Sequence, residues 1–254
     1  MTMFEKGKLR IWGLRGIDDV TIEQAERLNR LPVLAGPVSL MPDAHLGEGA
    51  TIGSVIISES AIIPSAVGVD IGCGVIAVET NLLTNALADS LDPLVAQFGR
   101  SIPSGVGRGR TAKGITAQIA NDRAAAWMVA NSHMLDTGLW NTALMQLGSL
   151  GSGNHFVEVC QDERNVVWVL LHSGSRGVGN RLAQKHIKLA KSQEQALEDP
   201  DLAYFLESSE DGIAYIRDMR WAQGYALENR EMIMDAALND LAVAVGEDYF
   251  QEEV

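Results

Sequence analysis

Closely spaced glycines punctuate this chain wherever an apolar run ends, and that punctuation limits its fold more than any other feature. From Pro37 to Thr80 the residues come in short β-branched stretches, Thr51 to Ser58 and Val75 to Thr80, broken by Gly53, Gly68, Gly72 and Gly74. Stretches this short, bounded by residues free to adopt positive φ, read as strands joined by tight turns. The pattern recurs at Leu147-Gly-Ser-Leu-Gly-Ser-Gly-Asn154, which runs into His155-Phe-Val-Glu-Val159, and at His172-Ser-Gly-Ser-Arg-Gly177, which follows the apolar run Val166 to Leu171. That run has the character of a strand covered on both faces. Asp162 to Asn165 is the expected turn of a hairpin joining it to the strand before.

Helical patterns fill the rest. Arg10 to Trp12 reads as a short strand, and Thr21-Ile-Glu-Gln24 resembles a capping box opening a helix that Pro32 closes. Asn85 to Phe98, Ile115 to Leu135, Val178 to Ala196 and Asp211 onward are expected helices. The third carries Arg181, Lys185, Lys188 and Lys191. Between the first two lies Ser104-Gly-Val-Gly-Arg-Gly-Arg110 with Lys113, read either as a solvated connector or as a basic loop for phosphate.

Composition narrows the class. With 254 residues, 46% of them hydrophobic, the chain has ample material for a core, and disordered and small-scaffold classes are excluded. The apolar runs stop short of a membrane span and the first residues lack a signal-peptide pattern, so the chain is read as cytoplasmic, with no membrane partner. Two cysteines, Cys73 and Cys160, do not make a disulfide framework. The net charge of -13 weighs against nonspecific binding of a phosphate polymer, although it leaves room for a local basic channel.

Chemistry concentrates where metal-competent side chains stand in these turns. In Val67-Gly-Val-Asp-Ile-Gly-Cys-Gly74, glycines beside Asp70 and Cys73 remove bulk, so that a carboxylate and a thiolate can face one point; a structural turn with a buried cysteine is the equal alternative. His155 opens one strand and His172 closes the next, and the hairpin between them brings these ends together. Asp70, Cys73, His155 and His172 therefore form a mixed O, S and N constellation for one metal or two, with Asn154 and Arg176 placed to hold an anion. The strand, glycine turn and helix start around Arg176 make an anion site by their unpaired N–H groups. Ligand softness alone favours zinc. Asp43 and His45 flank another glycine turn and suit either acid/base chemistry or an Asx-type turn. His133 and His186 are read as structural or surface residues, and Cys160 as a core thiol.

Four blocks together resemble a known family. Met41-Pro-Asp-Ala-His-Leu-Gly-Glu-Gly-Ala-Thr-Ile-Gly-Ser54, Ala61-Ile-Ile-Pro-Ser-Ala-Val-Gly-Val-Asp-Ile-Gly-Cys-Gly74, Leu147 to Val159 and Leu171 to Gly177 are similar, in order and spacing, to the successive motifs of the RtcB family of RNA-splicing ligases. Asp201-Leu-Ala-Tyr-Phe205 adds to the likeness. The resemblance implies an α+β fold with several mixed β-sheets around a metal site and peripheral helices, in a single domain over residues 1–254. It implies a GTP- and manganese-dependent enzyme of tRNA splicing and RNA repair, which joins a 2',3'-cyclic phosphate or 3'-phosphate end to a 5'-hydroxyl end through a guanylylated histidine.

On this resemblance Asp70, Cys73 and His155 bind one manganese, and Cys73 and His172 contribute to a second. Asn154 contacts the guanylate, Arg176 a phosphate, and Asp43 the 5'-hydroxyl. The implied partners are RNA with broken ends, tRNA halves foremost, a complementary C-terminal fragment and an activating protein. The family's later Asn-Cys-His-His and Ser-His-Gly-Ala-Gly blocks, the second bearing the histidine that accepts guanylate, are not among these residues. The expectation is therefore a C-terminally incomplete, split or interrupted ligase. A metal-dependent phosphoesterase acting on cyclic phosphates and a non-catalytic metal- and RNA-binding fragment are the alternatives.

Overall fold

A computed structural model of the chain describes residues 3–13, 16–110, 115–132 and 137–246. Lys113 and His133 lie outside the described residues. The chain forms two compact units, Met1–Val69 with Arg181–Met219, and Asp70–Asn180 with Arg220–Val254.

The first unit is built on a four-stranded mixed sheet. β1 (Met3–Lys6) and β2 (Leu9–Trp12) form an antiparallel hairpin, β3 (Ser39–His45) runs parallel to β2, and β4 (Ile52–Val55) closes the order β1-β2-β3-β4. Leu9, Ile11 and Leu40 pack with Ile22, Ala25 and Leu28 of α1 (Asp19–Leu28) in its core. The helix opens three residues before the expected cap: the Asp18 carboxylate accepts the Thr21 N–H at 2.7 Å, and Thr21 is buried inside the helix. A carboxylate at this position also meets the positive end of the helix dipole, which a threonine hydroxyl does less well. β5 (Ala61–Ile62) pairs with the distant β9 (Phe205–Leu206), and α2 (Pro64–Val67) follows β5.

The second unit holds a three-stranded antiparallel sheet. β6 (Gly74–Leu83), β7 (Phe156–Gln161) and β8 (Val166–Ser173) are ordered β6-β8-β7, with β8 central. The hairpin expected at residues 162–165 joins β7 to β8: Asp162 accepts the N–H groups of Arg164 and Val166, each at 2.9 Å, and Asn165 takes φ +61°. Burial alternates along β8, with Val167, Val169, Leu171 and Ser173 fully enclosed and the residues between them half-buried. The strand is thus packed on one face, not on both as its unbroken apolar run suggested. The open face carries His172, Phe156 and the exposed Val75, which pair across the three strands.

Helices cover the packed face. The expected Asn85–Phe98 helix is instead a 3₁₀ turn, Thr84–Ala86, followed by α3 (Asp92–Ser101), because Pro93 fits only a helix's first turn. The other helices among the described residues are α4 (Ile115–Ala130), α5 (Trp140–Gln146), α6 (Arg176–Lys191), which belongs to the first unit from residue 181, and α7 (Glu210–Val245), which belongs to the second from residue 220. The sheet core of Leu82, Val167, Val169 and Leu171 meets Ile233, Ala237 and Leu241 of α7. Trp127 of α4 packs edge-on against Trp221 and Tyr225 of α7, with centroids 5.7 and 5.8 Å away. Each such large apolar side chain contributes about 1.5–3 kcal/mol on full burial. α7 therefore supplies core in this unit instead of lying at its periphery. The α+β class with several sheets is as expected.

Candidate metal centre

Three loops of the second unit converge at the ends of β6, β7 and β8. The first is a turn in which the Cys73 N–H donates to the Asp70 carbonyl at 3.0 Å. Gly72 makes it: φ is +75°, and a Cβ would sit 3.0 Å from Ala226 Cβ and Gln223 Cα of α7. The second is the loop of residues 147–154, and the third follows His172. Because Phe156 pairs with His172 in the β7–β8 register, His155 and His172 are brought side by side, their ring centroids 5.4 Å apart.

The donor atoms face one another. His155 Nε2 lies 2.9 Å from Asp70 Oδ2 and 3.5 Å from Cys73 Sγ, and Cys73 Sγ lies 3.1 Å from His172 Nε2. Both rings are held from behind. His155 Nδ1 meets the Leu150 carbonyl at 2.9 Å, and His172 Nδ1 meets the Asn154 carbonyl at 3.0 Å. A carbonyl only accepts, so both Nδ1 atoms carry protons and both Nε2 lone pairs point inward. This is the outer-shell arrangement of a metal-binding histidine. Two ligands about 2.0–2.3 Å from a common cation stand on the order of 3–3.7 Å apart, which is the spacing seen here. Asp70, Cys73 and His155 form a compact triad, their ligand atoms all within 4.8 Å of one another, and His172 joins it through the sulfur. The donor set fits a divalent cation.

Electrostatics bear on the protons at the site. Burial opposes ionisation of Asp70, yet hydrogen bonds from His155 and Cys73 and the Ser175 N–H outweigh it and hold the carboxyl below its ordinary value. The Ser175 N–H donates to Asp70 Oδ1 at 3.0 Å at the start of α6. The anion expected at that helix N-terminus is thus the protein's own Asp70. Cys73 is exposed as a residue, but partial desolvation of its sulfur and the neighbouring Asp70 charge push the thiol up to about 12, with Arg230 pulling the other way.

Other expected residues have different surroundings. Asn154 is exposed, and its carbonyl orients His172. Arg176 is 8% exposed with φ +59°; its Nε donates to Ser149 Oγ at 3.1 Å and one Nη to the Gly105 carbonyl at 3.2 Å. Arg110 is likewise committed, donating to Asn121 Oδ1 and to the carbonyls of Leu144 and Leu147. It ties down the loop that was expected to be a solvated connector or an open phosphate contact. Asp43 and His45 belong to the first unit, where both lie within β3 and are exposed, with His45 Nδ1 donating to the Asp43 carbonyl at 2.8 Å. His186, also in that unit, is buried with its Nε2 2.8 Å from Asp218 Oδ2, a structural pair. Cys160 is half-buried on β7 opposite Trp168, less enclosed than a core thiol. Sequence reasoning missed Asn229 and Arg230 of α7. Asn229 accepts from the Gly148 and Ser149 N–H groups and donates to Ser149 O, Ser173 Oγ and Gly174 O. The one available signal was an amide inside the buried stripe of Ala222, Tyr225, Ala226 and Ile233.

Fold and site together define an α+β protein with a mixed carboxylate, thiolate and imidazole cluster able to hold a metal ion. Residues 24–253 match the family model for tRNA-splicing ligase RtcB, and the chain belongs to the RtcB family. The RNA-splicing ligase RtcB of Escherichia coli (strain K12) is 36% identical over 255 residues, covering 93% of this chain and 61% of that protein. The tRNA-splicing ligase RtcB of Nanoarchaeum equitans is 33% identical over 258 residues, covering 85% of this chain and 54% of that protein. The chain thus spans between half and two thirds of the length of these relatives. Among the described residues no helix is long and apolar enough to cross a membrane.

Proposed function

We propose that this chain supplies the metal centre of a GTP- and manganese-dependent RNA ligase, acting in the cytoplasm on RNA with a 2',3'-cyclic phosphate or 3'-phosphate end and a 5'-hydroxyl end. One observation carries the reading. Asp70 Oδ2, Cys73 Sγ and the Nε2 atoms of His155 and His172 converge while backbone carbonyls hold both Nδ1 atoms. Asp70, Cys73 and His155 would hold one cation, and Cys73, shared through its sulfur, would contribute with His172 to a second. When bound, the cations neutralise phosphate charge and act as Lewis acids in phosphoryl transfer. The carboxylate and imidazoles suit manganese, and the thiolate invites competition from zinc.

The chain's own residues do the positioning. Asp70 is oriented by Ser175, and each histidine presents its lone pair because its other nitrogen is engaged. Exposed Asn154, next to His155, is the residue we assign to the guanylate. We assign Arg176 to a phosphate on the resemblance; its guanidinium also donates to Ser149 Oγ and the Gly105 carbonyl. The assignment of Asp43 to the 5'-hydroxyl rests on the resemblance alone. tRNA halves are the proposed RNA, with a complementary RtcB polypeptide and an activating protein as proposed partners.

Metal content and Mn²⁺ electron paramagnetic resonance test the centre. Wild-type protein is expected to bind manganese stoichiometrically and Cys73→Ala to lose it; unchanged metal in the variant refutes the assignment. Ligation is then measured with GTP, manganese and the paired RNA ends, with the chain alone and with an added polypeptide bearing the Ser-His-Gly-Ala-Gly block. Joined product that depends on Cys73 supports the ligase reading. Opening of the cyclic phosphate without joining in both arms would replace it with a phosphoesterase.

A further inference from the structure

Arg230 lies on α7, remote in sequence from every loop of the metal centre. Its Nη1 donates to the carbonyl of Gly72 at 2.6 Å and to that of Ser173 at 3.0 Å. Gly72 immediately precedes Cys73, and Ser173 immediately follows His172. A single guanidinium nitrogen thus pins the two backbones from which the 3.1 Å Cys73–His172 pair projects. The guanidinium lies against Gly74, where a Cβ would stand in ordinary contact at 3.7 Å from both Cζ and Nη1. The preceding Asn229 secures the glycine loop and the Ser173–Gly174 segment. Neighbouring residues of α7 therefore reach all three loops that carry donors.

The arrangement has a cost. Arg230 Nε is buried without a hydrogen-bond partner among the described residues, and leaving a buried donor of a charged group unpaired is unfavourable. We propose that Arg230 is a positioning residue that sets the separation of Cys73 from His172 and so determines how the shared sulfur is presented to cations. The inference rests on the metal-centre reading above and adds to it a residue that touches neither cation nor substrate. The arginine stem reaches from α7 to both carbonyls, one in the Asp70–Cys73 turn and one at the end of β8, and lysine offers a compact point charge on a shorter stem.

Cobalt(II) is the probe, since a cobalt–thiolate bond gives a charge-transfer absorption that reports the sulfur's geometry. Wild-type protein is titrated with cobalt beside Cys73→Ala, Arg230→Met and Arg230→Lys, and cooperative unfolding is followed for each. Arg230→Met is expected to stay folded, bind cobalt about 10- to 100-fold more weakly, as loss of an outer-shell partner does, and show a shifted or lost charge-transfer band. Arg230→Lys should fall between it and wild type. A lower unfolding temperature with unchanged cobalt affinity and spectrum would mean a merely structural role and would overturn the proposal. Should Arg230→Met not fold, a wild-type affinity and band in Arg230→Lys overturns it instead. A wild-type protein without a Cys73-dependent band fails the metal-centre reading itself, whereas a band that the Arg230 variants reproduce fails only this inference.

Discussion

Gly174→Ala is the substitution from which the geometry draws its most definite consequence. Gly174 does not occupy the left-handed region, so an added methyl carries no backbone penalty of its own. It meets the Asp70 carboxylate instead: a Cβ would lie 2.5 Å from both the carboxyl carbon and Oδ1, and nearer still to Oδ2. Real Cβ contacts start above 3 Å, so the carboxylate must retreat by on the order of 1 Å. Overpacking of this kind costs about 1–3 kcal/mol. The retreat also strains the Ser175 N–H bond at 3.0 Å and the His155 contact at 2.9 Å, and a hydrogen bond to a charged group contributes about 1.5–3 kcal/mol. A combined loss of roughly 2.5–6 kcal/mol leaves a folded protein if stability lies above the lower end of the usual range of about 5–15 kcal/mol.

Metal affinity should fall as well, by at least about 10- to 100-fold, because the displaced group is itself a proposed ligand. The assay pairs urea unfolding of metal-free protein with a manganese titration. Gly153→Ala is the control. It sits in an adjoining loop at φ +78° with nothing within 4 Å of its Cβ, so it reports backbone strain alone, about 1–2 kcal/mol. Gly174→Ala with wild-type stability and wild-type manganese affinity would refute the geometry of Asp70, and equal losses in both glycine variants would refute the claim that steric displacement is the cause.

Two further expectations concern groups away from the candidate metal centre. Asp162 is desolvated, yet hydrogen bonds from the Val166 and Arg164 N–H groups, the Arg164 guanidinium and the Trp168 indole overcome that and hold it at about 2. A carboxyl depressed in the folded state adds stability above its unfolded value, about 3.9, and that stability is lost as pH falls through about 2; Asp162→Asn should therefore abolish acid sensitivity of Arg164 and Val166 amide protection between these limits, measured by hydrogen exchange, and a pH dependence unchanged from wild type would contradict it. Asp218→Ala leaves the buried His186 Nε2 without its partner and should destabilise the protein by about 1–3 kcal/mol in urea unfolding, no measurable change arguing against a structural pair.

The donor types were legible in the sequence because each stands in a short glycine-bounded turn. The β7–β8 hairpin was legible because Asp162 to Asn165 carries the residues such a turn needs, and the two histidines follow from its register. What orients those donors was not legible. A backbone carbonyl behind each histidine leaves no mark on residue type, and the Ser175 N–H that takes Asp70 is silent for the same reason. Arg110 and Arg176 looked like free cations because charge says nothing of burial, and both prove to be engaged by carbonyl oxygens. On α7 the periodic pattern revealed a helix but not that Asn229 and Arg230 face the loops, since their partners lie 55 residues or more away in the chain.

Those backbone ties also determine where protons reside before a cation arrives. The Nε2 of His155 and Asp70 Oδ2 stand 2.9 Å apart, and this contact is among the causes that hold the Asp70 carboxyl below its ordinary value. At the other histidine the Cys73 thiol, raised to about 12, keeps its own proton and can donate it to Nε2 at 3.1 Å. A divalent ion bound through the sulfur displaces the thiol proton, so uptake releases a proton and strengthens as pH rises.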